Sequence, residues 1–341
     1  MPNRSSFVTD FPCVKLMHGP TPFEYLPNLT RHLDGPKVYV KRDDCTGLAM
    51  GGNKARQLEY YFGEARQKDC DTVLITGAVQ SNFLRMTAAA AAKLGMACEI
   101  QHEDRVKGMD EHYQKSGNVL LDKILGAKIH TYPKGEDEAG ADAALEKRAA
   151  KLRKEGKTPY VIHLGPDHPP LGALGYIDCA QEILDNARDA KVQLDAIVVP
   201  SGSAATHAGL LAGLRLIGSS MPVLGVCVRR DAKQQAERVA TRTQEVFDML
   251  YCRQRVAKSD VNVTDAVLAP GYGKFGKDVK EAIHMAARLE GLLVDPVYSG
   301  KTLAGLIHAI RKGVYKKGQS VCFIHTGGTP ALWGYESQLS N

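Results

Sequence analysis

The sequence predicts an α/β protein of two lobes, built on open, mainly parallel, twisted sheets flanked by helices. Two observations lead there. Short β-branched runs alternate with longer helical patterns through most of the chain, and 341 residues exceed what one small core employs.

The runs Val38 to Val40, Thr72 to Ile75, Ala127 to His130, Pro159 to Ile162, Ala196 to Val199, Val223 to Val228 and Ser320 to Ile324 read as strands. Between them Leu84 to Leu94, Asp142 to Glu155, Leu174 to Asn186, Ala205 to Leu216, Val279 to Leu289 and Leu303 to Lys312 have the spacing and the Ala, Leu, Lys and Glu content of helices. The Ala-rich member from Leu84 has small side chains on several faces, so it can pack closely on a sheet. A further amphipathic helix is expected to begin at Lys54, behind Gly51 and Gly52. The Gly- and Pro-rich stretch Leu164 to Gly172 marks the best crossing between lobes.

Charge excludes some function classes. Lys and Arg total 44 against 38 Asp and Glu, a net charge of +6, and the basic residues are interleaved with acids along helical stretches. That pattern suits solvated faces, not a nucleic-acid surface, and leaves room for an anionic substrate or cofactor. The eight cysteines form no C-x-x-C pair and no zinc-finger spacing, so no metal site is expected. No signal-like leader and no bilayer-length apolar segment stand in the sequence, which implies a cytoplasmic protein without a membrane partner.

Four segments carry chemistry. In Gly51-Gly52-Asn53-Lys54 the glycines allow positive φ and close approach of a flat ligand. A lysine withdrawn from water there shifts toward the neutral amine that forms a Schiff base. The same residues would also make a plain loop. Gln80-Ser81-Asn82-Phe83 sits between a strand and a helix, where free amides and short polar side chains receive a carboxylate or merely cap the helix. Ser201-Gly202-Ser203-Ala204-Ala205-Thr206 has the small side chains and hydroxyls of a phosphate cup, or of a structural turn. Lacking a P-loop or dinucleotide fingerprint, it suits a single phosphate monoester better than a nucleotide. Last come Tyr272 and Tyr298-Ser299 with His325-Thr326-Gly327-Gly328, at predicted strand ends where α/β sites gather ligands.

Together with Thr21-Pro22, Lys41 to Asp44 and Asp295-Pro-Val-Tyr298, these segments make the chain resemble the D-cysteine desulfhydrase and 1-aminocyclopropane-1-carboxylate (ACC) deaminase family. These are pyridoxal-phosphate enzymes of the tryptophan synthase β-like fold (fold type II), and the likeness runs from about Phe11 to Tyr335. It implies a large cofactor-binding domain from 1–50 plus 165–341, a small domain from 51–164, and a homodimer. It makes Lys54 the cofactor-bearing lysine and a proton-transfer group, with Asn53 and Asn82 near the ring and Asn82 on its phenolic oxygen. Ser81 would bind the substrate carboxylate, the Ser201 to Thr206 loop the phosphate, and Tyr272 and Tyr298 would flank the substrate. Gln80 and Phe83 would join them at the substrate.

Ser299 would meet the pyridine nitrogen, and Thr326 belongs with the desulfhydrase-like members. ACC deaminases carry glutamate at the point of Ser299, and a neutral hydroxyl gives a weaker electron sink, suited to elimination of a ready leaving group. Phe83 departs from the usual histidine. Asp167-His168-Pro169-Pro170 departs from a Gly/Ser-rich turn and would bring His163 or His168 within reach of the pocket. The implied activity is β-elimination from a small amino acid such as D-cysteine or cysteate, giving pyruvate and ammonia. Its alternatives are an ACC deaminase giving 2-oxobutyrate, and a non-catalytic cofactor-binding protein.

Overall fold

In a computed structural model, which describes residues 5–165 and 168–340, the strands form two sheets. The larger contains β1 (Phe23–Tyr25), β2 (Lys37–Lys41), β7 (Ala196–Ser201), β8 (Val223–Cys227), β9 (Asn262–Thr264) and β10 (Ser320–Ile324), in the order β1-β2-β10-β7-β8-β9. The smaller contains β3 (Thr72–Ala78), β4 (Ala97–Glu103), β5 (Lys128–Tyr132) and β6 (Pro159–Ile162), in the order β5-β4-β3-β6. Every pairing is parallel except β1 with β2. Parallel neighbours need crossovers, and helices supply them.

The helices among the described residues are α1 (Pro27–Leu33), α2 (Lys54–Gln67), α3 (Asn82–Leu94), α4 (Glu111–Lys115), α5 (Asn118–Ile124), α6 (Glu138–Lys154) and α7 (Leu174–Asp189). There follow α8 (Ala205–Leu216), α9 (Ala232–Met249), α10 (Lys277–Glu290), α11 (Ser299–Arg311), α12 (Ala331–Gly334) and α13 (Glu336–Leu339). Each strand and helix expected above is present, with ends displaced by a few residues, and α2 begins at Lys54. The patterns gave no sign of β4 or α9, nor of the shorter elements β1, β9, α1, α4, α5, α12 and α13. No helix among the described residues is long and apolar enough to cross a membrane.

The chain leaves the larger sheet after β2 and returns between β6 and β7. On that ground we propose the division into 1–50 plus 165–341 and 51–164. One apolar core lies under the larger sheet, where Val38, Val40, Val198, Val321 and Phe323 meet α10 and α11. Another packs α2 and α3 on the smaller sheet through Leu58, Phe62, Leu84 and Ala90 against Val73, Ile75 and Ile100.

A buried ionic cluster fixes α2 to the larger sheet. Arg56 donates to both oxygens of Asp43, at 2.8 and 3.0 Å, and to Glu182 of α7 at 2.9 Å. Lys41 Nζ reaches Glu182, Asn186 and the Thr21 carbonyl, each at 2.6 Å, and the Tyr176 hydroxyl donates to Asp43 at 2.6 Å. Burial alone would raise the Asp43 and Glu182 pKa values, but the Arg56 and Lys41 charges more than offset it and hold both below the ordinary carboxylate range. Their stabilisation is therefore complete above about pH 4, the unfolded value, and is lost as pH falls through the lower folded values. Asp43→Asn should cost about 3 kcal/mol or more in urea unfolding at pH 7, since it strips a buried guanidinium of a charge partner. It should also flatten the acid limb of the stability curve. A cost under about 1 kcal/mol with an unchanged limb would show the cluster to be dispensable.

Candidate active site

The turn that presents Lys54 is clamped from two sides. Gly51 has φ 68°, and a Cβ there would lie 1.8 Å from the Asp44 carbonyl oxygen, so no other residue fits. The Gly52 amide donates to Thr46 Oγ1 at 2.8 Å, the Thr46 hydroxyl donates back to Gly52 O at 2.9 Å, and the Asn53 amide donates to Thr326 O at 3.1 Å. Lys54 Nζ then lies 3.3 Å from Gln57 Oε1 and 4.5 Å from the centre of the Phe83 ring. Among the described residues no carboxylate pairs with it, and burial lowers its pKa to about 8. Near neutral pH a sizeable fraction of the amine is free to attack a carbonyl.

Lys54 lines a cavity of about 100 Å³ shared by Asn53, Ser81, Asn82, Phe83, Tyr272, Tyr298 and Thr326. At one end the cavity meets Gly202, Ser203, Ala204 and Thr206, where α8 begins. Thr206 Oγ1 accepts from Asn53 Nδ2 at 2.9 Å and from Gln57 Nε2 at 2.8 Å. With both acceptor positions filled, its own proton is left to donate. A helix start with a spare hydroxyl donor is suited to an anion. Ser201 differs from expectation. It is fully buried, its hydroxyl meets His207 Nδ1 at 3.2 Å and Gln235 Nε2 at 2.8 Å, and it does not line the cavity. Side-chain direction alternates along β7, and Ser201 falls on the wrong face. Ala205, the first residue of α8, is also off the cavity wall.

At the start of α3, Ser81 is the helix cap, its Oγ accepting from the Phe83 and Leu84 amides at 3.2 and 3.4 Å. It lines the cavity as well. Asn82 Oδ1 accepts from Asn118 Nδ2 at 3.0 Å and Arg85 Nη1 at 3.4 Å, which turns Nδ2 outward as a donor. Gln80 is a correction. Its amide donates to the Tyr113 and Ser116 carbonyls, at 2.6 and 2.9 Å, and accepts from the Asn118 amide at 2.9 Å, so it latches α4 and α5 instead of facing substrate.

Across the cavity the Tyr272 and Tyr298 hydroxyls are 2.7 Å apart, with their rings edge to face. Burial and the neighbouring Tyr272 hold the Tyr298 pKa well above the ordinary phenol value, so it stays protonated. Ser299 is again a correction. Its Oγ donates to Asp295 Oδ1 at 2.6 Å, lies 3.0 Å from Gly327 O, and accepts from the Asp295 amide at 2.9 Å. It is fully buried and off the cavity wall. Thr326 is on that wall, and its hydroxyl has no hydrogen bond among the described residues.

Neither histidine of the 163–168 stretch lines the cavity. His163 stacks on His168, with ring centres 3.7 Å apart, and bonds Glu146 at 3.0 Å; Asp167 lies outside the described residues. Three contributors were missed in sequence. Gln57 stands one helical turn from Lys54, a spacing that could have flagged it. Arg85, buried, bonds the Gly51 carbonyl at 2.8 Å and so joins α3 to the lysine turn. Arg105 lines the cavity beside Glu103 and had no local signal.

Comparison with known proteins gives the family. The pyridoxal-phosphate dependent enzyme family matches residues 14–327. A D-cysteine desulfhydrase of Klebsiella pneumoniae subsp. pneumoniae is 41% identical over 97% of this chain and 98% of its own, and one of Salmonella typhi is 40% identical over the same shares. The solved structure of an ACC deaminase homologue superposes with a TM-score of 0.87 at 36% identity, covering 98% of this chain and 97% of that one. The chain therefore belongs to the pyridoxal-phosphate dependent enzymes, within the group that holds the D-cysteine desulfhydrases and an ACC deaminase homologue.

Proposed function

We propose that the protein is a lyase that removes the α-proton and a β-substituent from a small amino acid, leaving pyruvate and ammonia. The observation that carries the reading is one cavity joining a low-pKa lysine, an anion-suited helix start and a pair of phenols. The relatives named D-cysteine desulfhydrase support it.

The residues present fit pyridoxal phosphate. Thr206, Ser203 and the first turn of α8 would hold its phosphate, Asn82 Nδ2 its phenolic oxygen, and Lys54 its aldehyde carbon. A side chain at Gly52 would lie 3.1 Å from Met86 Sδ and 3.2 Å from Thr326 O, so a bare backbone keeps that wall open. When bound, the cofactor supplies an electron sink for negative charge at Cα. Ser81 would bind the substrate carboxylate, and Lys54 would take the Cα proton. Within the Tyr272–Tyr298 pair only one proton is used by the 2.7 Å bond, so the other can go to the departing group.

Since Ser299 is engaged with Asp295, we assign the contact with the ring nitrogen to the Thr326 hydroxyl. A neutral hydroxyl supports less charge delocalisation than a carboxylate would, which favours elimination over cyclopropane opening. We also assign the protein to the cytoplasm as a homodimer, on its eight free cysteines and the family resemblance. Light scattering checks the dimer.

Two measurements test the site. Borohydride reduction of the loaded protein should fix the cofactor to Lys54, located by peptide mass; attachment at another lysine would remove the central assignment. Supplied with D- and L-cysteine, β-chloroalanine and ACC, the enzyme should release pyruvate faster than 2-oxobutyrate, and the reverse order would promote ACC deaminase. Thr206→Val should weaken cofactor retention by about tenfold or more, because it deletes a charge-assisted donor and leaves two buried amides without an acceptor. Retention equal to wild type would make the α8 start only a turn.

A further inference from the structure

Of the arginines on the cavity wall, Arg229 and Arg238 are turned to Glu138, whereas Arg105 is not paired with it and has no part in the reading above. Arg105 follows β4 and pairs side-on with Glu103, Nε to Oε2 at 2.8 Å and Nη2 to Oε1 at 2.7 Å. Glu103 is fully buried and accepts from the Thr76 hydroxyl at 2.9 Å, so one edge of the guanidinium is anchored. That pairing occupies two of five N–H groups. Nη1 makes no hydrogen bond among the described residues.

Glu138, which also lines the cavity and feels the Arg105 charge, is already engaged by other arginines. Of the other carboxylates lining the cavity, Glu138 is held by Arg229 and Arg230 at 2.5 and 2.7 Å with Arg238 at 3.5 Å, and Asp142 lies 3.8 Å from His163. Arg105 is near enough to both phenols for its charge to oppose the rise in the Tyr298 pKa. The other two anion-suited places are the start of α8 and Ser81 at the start of α3, and the proposed function gives these to the phosphate and the substrate carboxylate. Arg105 thus makes a third seat, on the tyrosine side where the β-substituent would leave.

We propose that Arg105 is a specificity-determining residue that seats an anionic β-substituent, making β-sulfonated alanine, cysteate, a better substrate class than neutral cysteine. The proposal rests on the elimination reading. In the step the Cα–H proton is removed, the Cβ–S bond breaks with its electron pair on sulfur, and Cα=Cβ forms. One water then converts the aminoacrylate to pyruvate and ammonium, with hydrogensulfite as the other product, so no oxidant or reductant is consumed. A guanidinium that hydrogen-bonds the sulfonate as its charge grows assists that departure.

The test compares kcat/KM for both cysteate enantiomers, both cysteine enantiomers and β-chloroalanine, following pyruvate and hydrogensulfite. Wild type should prefer one cysteate enantiomer over the neutral substrates by about tenfold or more. Arg105→Met alone would strand Glu103, so the variant is Arg105→Met with Glu103→Gln, beside Arg105→Lys. In the double variant the ratio of cysteate to β-chloroalanine efficiency should fall about 100-fold, mainly through KM, with Arg105→Lys between. An unchanged ratio in both variants overturns the proposal. Should the double variant not fold, wild type decides. There 3-sulfopropanoate should compete with β-chloroalanine about tenfold better than butanoate, and equal inhibition refutes the seat. Pyruvate from neutral substrates without hydrogensulfite from either cysteate overturns this inference alone. No pyruvate from any substrate overturns the elimination reading and the inference with it.

Discussion

The grip of Asp43 and Glu182 on Arg56 is the constraint on which the rest of the structure depends. Arg56 is two residues from Lys54 on the first turn of α2, so fixing its guanidinium also fixes where α2 begins. The carboxylates come from the turn after β2 and from α7, and both belong to the chain around the larger sheet. A helix that packs on the smaller sheet is thereby pinned to the larger one, with its first residue facing the cavity between them. Breaking a buried pair exposes an uncompensated charge to a low-dielectric interior, which gives this anchor its stiffness. The Arg85 bond to the Gly51 carbonyl steadies the same turn from the α3 side.

Charge in the cavity follows a simple division. Donors face inward and acceptors are occupied. Glu103 is held by Arg105, Glu138 by arginines from the β8–α9 region, and Asn82 and Thr206 have their oxygens filled by amides or guanidinium. Inward-facing N–H and O–H groups in a small cavity favour ligands rich in oxygen and negative charge, and disfavour cations. Lys54 is the exception, since burial drives it toward its neutral form.

Sequence made much of this legible because the serine and phosphate-loop segments each lie at a strand end before a helix, and the lysine segment opens a helix behind two glycines, so pattern and turn chemistry agree. It was silent where polar residues take core positions. In β4 the residues Glu99, Gln101 and Glu103 are buried, each satisfied by partners distant in the chain such as Arg148 and Thr76, so no alternation shows. In α9 the buried face starts with Gln235, Val239, Arg242 and Thr243, which keeps helical spacing but not hydrophobicity. The misplacement of Gln80, Ser201 and Ser299 has a similar cause. Their hydroxyl or amide groups are consumed by neighbours that only the folded chain brings near, and residue type alone does not say which way a polar side chain turns.

The contacts of Gln57 carry one more consequence. Lys54 gives a proton to the Gln57 oxygen, the Gln57 nitrogen gives one to Thr206, and the Thr206 hydroxyl has only its outward direction left to give. The three groups form a one-way relay of dipoles from the amine to the anion seat, and an amide cannot reverse it without losing both bonds. A charged lysine strengthens every link, and an anion at the far end draws on the same polarisation. Occupancy of the seat and protonation of the amine are thus thermodynamically linked, each raising the other's affinity by the same factor. The anion seat and the amine are in electrical contact through a single side chain.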